Sequence, residues 1–81
     1  MKSLETYQNF YFVGIGGIGM SALARYFNDS GKNVLGYDKT VTKLTNVLVS
    51  EGIDIVFEDG IIDKIKNLDR ENTLVIYTPA I

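Results

Sequence analysis

Four short apolar runs alternate with three segments of helical spacing along this chain. The first run, Phe10-Tyr11-Phe12-Val13, shows no polar alternation and stops at Gly14, which predicts a strand buried on both faces. Met20, Leu23, Ala24 and Phe27 then fall at i, i+3, i+4 and i+7, one face of a helix. Ser21, Arg25 and Asn28 share its opposite side, and Ser30-Gly31 is its stop. The second run is Val34-Leu35-Gly36-Tyr37, ending at Asp38. Thr40 or Thr42 can cap the next helix, whose apolar face is Leu44, Val47 and Leu48 and whose end is Gly52. Ile53 to Phe57 reads as a third strand. After a Glu58-Asp59-Gly60 turn, Ile61, Ile62, Ile65 and Leu68 define a shorter third helix. Thr73 to Tyr77 is the fourth strand, and Pro79 disfavours further regular structure.

Strands alternating with helical crossovers imply an α/β fold, a Rossmann-like open parallel sheet of about four strands. The expected order is 3-2-1-4 with helices on both faces and the crevice above the first strand. Met1 to Gln8 is polar and reads as a flexible lead-in, leaving residues 9–81 as one domain. An open sheet leaves the fourth strand as an edge, so self-association through Leu74 to Tyr77 is expected unless that edge is covered.

The chemistry-bearing segment is Val13-Gly14-Ile15-Gly16-Gly17-Ile18-Gly19-Met20-Ser21. Gly14, Gly16 and Gly19 satisfy G-x-G-x-x-G between a strand and an amphipathic helix, the context that pattern requires. Gly14 permits a sharp exit from the strand. Gly16 allows close approach of a phosphate, with Gly17 widening that freedom, and Gly19 allows tight helix–sheet packing. Amides from about Gly17 to Met20 then face an anion, with the helix dipole behind them. No Lys-Ser/Thr pair follows, so the loop can hold a diphosphate but lacks the lysine that reaches a transferred phosphoryl group. Asp38 lies 19 positions beyond Gly19, where an acid accepts hydrogen bonds from ribose hydroxyls and repels a 2′-phosphate. Two plainer readings stay open: a glycine turn built only for packing, and a solvated turn aspartate. Tyr37 and Tyr77 could flank a base, although packing is the commoner role for such aromatics. Lys39 and Arg25 read as surface positions, and Glu58-Asp59 as a turn and cap.

The 81 residues carry 8 basic and 10 acidic side chains, with 46% hydrophobic residues and one proline. That is a globular composition, and a domain this small buries only about 60% of its extended-chain surface. A net charge of −2 without a basic run argues against nonspecific nucleic-acid or anionic-membrane binding. Without Cys or His the chain offers no disulfide, thiolate metal site, Cys nucleophile or Ser–His pair. No apolar run approaches the roughly 18 residues of a membrane span, and no signal-type stretch opens the chain. A small binding module with little catalytic equipment is the expectation, and a cytoplasmic one is compatible with the absence of Cys.

The run from Phe12 through the glycine turn to Ala24 resembles the N-terminal signature of the bacterial Mur ligases. The similarity continues in Gly36-Tyr37-Asp38, Thr42 to Leu48, Glu51-Gly52-Ile53 and Val75 to Ile81. The resemblance implies a peptidoglycan-building enzyme of three domains, of which this chain is the first. That domain binds UDP-N-acetylmuramate, while central ATP-binding and C-terminal amino-acid domains lie outside the chain. ATP and Mg2+ belong to the parent enzyme, which forms an acyl phosphate that the amine of L-alanine attacks; this chain alone is expected to be inactive. A relative that joins a preformed peptide to the same sugar nucleotide shares a similar run. Carried over by position, Ile15, Gly16, Gly17, Ile18 and Gly19 would bind the diphosphate. Asp38 would face the uridine, and Thr78 and Ala80 would line the nucleotide's other side. Many relatives have a serine-rich pair where this chain has Thr78-Pro79, and proline has no N–H to donate. The rival reading is an NAD-binding domain of a dehydrogenase or redox-sensing regulator, which Asp38 supports equally.

Overall fold

The computed structural model describes residues 6–57 and 70–77. In chain order the elements are β1 (Asn9–Val13), α1 (Ile18–Asp29), β2 (Asn33–Tyr37), α2 (Lys43–Ser50), β3 (Asp54–Val56), a 3₁₀ turn (Arg70–Asn72) and β4 (Thr73–Ile76). The strands form one sheet in the order β3-β2-β1-β4, and every pair is parallel. This is the expected open sheet, with the first strand central. The helix and turn expected between Glu58 and Leu68 lie outside the described residues, as do Thr78, Pro79 and Ala80.

Register explains the core. Phe10 stands between Val34 and Leu74, and Phe12 between Gly36 and Ile76, so one sheet face carries a continuous apolar row. α1 lies on that face: Phe27 stacks on Phe10 with centroids 3.9 Å apart and also meets Phe12. Ala24, Leu48 and Ile53 complete the cluster. α1 and α2 are neighbours, joined by a two-pronged Arg25–Glu51 ion pair and by Asn28 Nδ2 donating to the Glu51 carbonyl. Gly31 and Gly52, both at positive φ, follow the two helices where the sequence places their stops.

The helix faces differ from the apolar spacing at four positions. Ser21, assigned to the polar side, is buried, while Leu23 is 46% exposed. Ser21 donates its hydroxyl to the Ile18 carbonyl, which lets a small polar side chain sit at the packed interface. On α2, Thr45 is buried and Val47 is 41% exposed. Thr45 is the third residue of a capping box with Thr42, so its hydroxyl is satisfied locally and its methyl faces inward. Of the two candidate caps, Thr42 is the one used.

At the N-terminal edge of the sheet, Asn33 donates to Asn9, and Asn9 donates to Thr73. Gln8 extends the pairing by donating to Asn72 and accepting from Asn33. On the other sheet face Tyr11 is fully buried, and its hydroxyl has no hydrogen-bond partner among the described residues. Burial, then Tyr37 and Asp54, push its pKa up from 10.0 to about 12.

Candidate nucleotide site

The glycine turn sits at the C-terminal edge of the sheet, between β1 and α1. Gly14 leaves β1 at φ +81, the left-handed region that glycine enters freely. The turn is held by the end of β2: the Tyr37 carbonyl accepts the amides of both Gly14, at 2.8 Å, and Ile15, at 3.0 Å. The Ile15 side chain is fully buried over Gly36. A Cβ on Gly36 would lie 2.5 Å from Ile15 Cδ1 and 2.9 Å from the Phe12 carbonyl oxygen. A glycine inside a strand signals this kind of close approach, and Gly36 is the site-building residue that the sequence reading passed over.

Asp38 supplies the second tie. Its Oδ2 accepts the Gly16 amide at 2.7 Å, and its Oδ1 accepts the Thr40 amide at 3.0 Å. A Cβ on Gly16 would stand 2.7 Å from Asp38 Oδ2 and 3.0 Å from Thr45 Cγ2. Gly16 is thus required by the approach of Asp38 and α2, a requirement independent of any ligand. The role expected of Gly19 is corrected: a Cβ there meets nothing within 4 Å, so helix–sheet packing makes no demand for glycine. Gly17 is the N-cap of α1, and its own amide bonds to the Gly14 carbonyl.

The expected diphosphate residues therefore divide. The amides of Ile15, Gly16 and Gly17 already have acceptors within the chain. Among the described residues, those of Ile18, Gly19 and Met20 have none, and the first main-chain bond inside α1 runs from Ser21 to Gly17. α1 also lacks a side-chain cap and an acidic residue in its first turn. Gly17, Ile18 and Gly19 are exposed, Ile18 by 87%. α2 differs in closing its own N-terminus with the Thr42–Thr45 box. Of the two described α-helices, then, α1 is the one that presents three unfilled donors and the positive end of a twelve-residue helix to solvent. Tyr77 is exposed at the end of β4. Among the described residues no cluster of three or more metal-ligating side chains occurs. No helix there is long and apolar enough to cross a membrane.

The sequence matches the family described as "Mur ligase family, catalytic domain" over residues 9–81. The chain belongs to the Mur ligase family. It is similar to proteins named UDP-N-acetylmuramate–L-alanine ligase from several bacteria. One from Flavobacterium johnsoniae is 60% identical over 79 residues, covering 98% of this chain and 18% of the relative. One from Christiangramia forsetii is 52% identical over 84 residues, covering all of this chain and 18% of the relative. One from Phocaeicola vulgatus is 48% identical over 81 residues, covering 96% of this chain and 17% of the relative. The chain thus spans under a fifth of these Mur ligases. The dehydrogenase reading, which Asp38 had left open, gives way to this membership.

Proposed function

We propose that this chain is the UDP-N-acetylmuramate-binding domain of an ATP-dependent ligase that adds L-alanine to that sugar nucleotide in peptidoglycan biosynthesis. The observation that carries the reading is the uncapped start of α1, where Ile18, Gly19 and Met20 hold three unfilled amides in a chain of the Mur ligase family. A diphosphate satisfies such donors and is favoured by the dipole behind them. Ile15, Gly16 and Gly17 support the turn that presents them, while Asp38, with Thr78 and Ala80, belongs to the uridine side. Relatives of this degree of identity bear the L-alanine ligase name, which favours that activity over peptide recycling.

In this reading ATP and Mg2+ serve the parent enzyme in parts beyond this chain, and the work is cytoplasmic, where the nucleotide substrate is made. Titrating labelled chain with UDP-N-acetylmuramate should shift the amide resonances of Ile18, Gly19 and Met20 in a saturable way. Shifts confined to other regions would overturn the placement. Incubation with ATP, L-alanine and UDP-N-acetylmuramate should release no phosphate from this chain alone.

Self-association through β4 belongs to the same proposal. β3 carries a charged residue, Asp54, whereas Thr73–Ile76 has none, and Val75 is exposed. An uncharged edge invites another strand to pair with it. The remaining domains of the parent are the natural cover for that edge.

A further inference from the structure

We infer that Asp38 is the positioning residue of the glycine turn, a strut that sets the diphosphate-binding amides as well as a group facing the nucleoside. The inference rests on the nucleotide-binding reading and extends it. Both carboxylate oxygens are engaged by main-chain amides from two different connections: Gly16 from the β1–α1 turn and Thr40 from the β2–α2 turn. The Asp38 amide itself donates to Val56, anchoring the residue to the end of β3. The missing side chain at Gly16 is what admits the carboxylate and the Thr45 methyl together. Gly16 is two residues before Ile18, so its position fixes where the unfilled amides begin. A carboxylate has about four lone-pair sites. Two accepted amides leave room for a ligand hydroxyl or N–H, so both roles fit one side chain.

The strut and a pure contact role predict opposite signs for a ligand without a nucleoside. Asp38 carries a negative charge near the anion site, so by Coulomb's law its removal alone strengthens pyrophosphate binding. Loss of a strut weakens it, because the turn is no longer held. The experiment compares the full chain with Asp38→Ala and Asp38→Asn, titrating each with inorganic pyrophosphate and with UDP. Hydrogen exchange is read at the Gly16 amide, with Tyr11 and Phe12 as controls for the sheet.

In Asp38→Ala, Gly16 exchange should rise and affinity for both ligands should fall about tenfold, with the controls unchanged. Asp38→Asn keeps one carbonyl oxygen, and should restore Gly16 protection and pyrophosphate binding. Equal or tighter pyrophosphate binding by a folded Asp38→Ala, or unchanged Gly16 exchange, overturns the strut. If Asp38→Ala does not fold, Asp38→Asn decides. Protection at Gly16 with pyrophosphate affinity kept supports the strut. Loss of that protection with affinity kept overturns it. Failure of the unaltered chain to bind either ligand would sink the nucleotide reading, and Gly16 exchange would still decide the strut.

Discussion

Single side chains, and their absence, shape the turn. Gly16 and Gly36 leave space that another residue occupies, and Gly19 does not. Gly36→Ala should cost about 1–3 kcal/mol, because the added methyl overlaps Ile15 and main-chain oxygen that cannot withdraw. Gly19→Ala should be neutral or stabilising by up to about 1 kcal/mol, since its φ is not positive and the space is open. Denaturant midpoints of the two variants check this contrast. Tyr11 offers a prediction in pH. Below pH 10 its hydroxyl is protonated whether the chain is folded or unfolded. Between 10 and about 12 the unfolded chain releases that proton while the folded chain retains it, so this group's contribution to stability is lost as the pH rises through that window. Tyr11→Phe should remove that part of the alkaline loss. At neutral pH it should be harmless or stabilising, because the hydroxyl is buried without a partner among the described residues. Stability measured against pH for both proteins is the test.

At the scale of elements, the two described α-helices begin differently, and the proposed function rests on that difference. α2 closes its N-terminus with Thr42 and Thr45, and Thr42→Ala should cost about 1 kcal/mol, a fall in Tm of about 4–8 °C. The Arg25–Glu51 bridge between the helices is partly exposed, so Arg25→Ala should change stability by about 1 kcal/mol or less, and by less still in high salt. Strands and caps were legible in the sequence because short apolar runs, Gly31, Gly52 and Thr42 act locally. The helix faces were less so. Ser21 and Thr45 are buried because each bonds its hydroxyl within its own turn, and a hydrophobic-periodicity argument counts both as polar. The glycine pattern marked the turn, but the packing reason it gave for Gly19 does not hold, and it was silent on Gly36. Gly16 stands against Asp38 and Thr45, and Gly36 against Ile15, contacts between segments about twenty to thirty residues apart that spacing alone does not reveal.

For the molecule as a whole, the sheet places β1 centrally and brings the two β-α turns together at one edge, where α1 offers its amides. The opposite edge is pinned by the Asn33–Asn9–Thr73 ladder across three strands. β4 is a terminal strand of the described sheet, with Val75 exposed. Sedimentation should show concentration-dependent association that Val75→Lys abolishes by placing a charge on the edge strand; a strict monomer at high concentration would contradict pairing there. The proposed function, a sugar nucleotide held by its diphosphate, is supported by membership of the Mur ligase family and by the unfilled donors of α1. Parallel calorimetric titrations of the chain with UDP-N-acetylmuramate and with NADH test that most directly. Saturable heat with the UDP-sugar and none with NADH is the expected result, and saturable heat with NADH alone would contradict it.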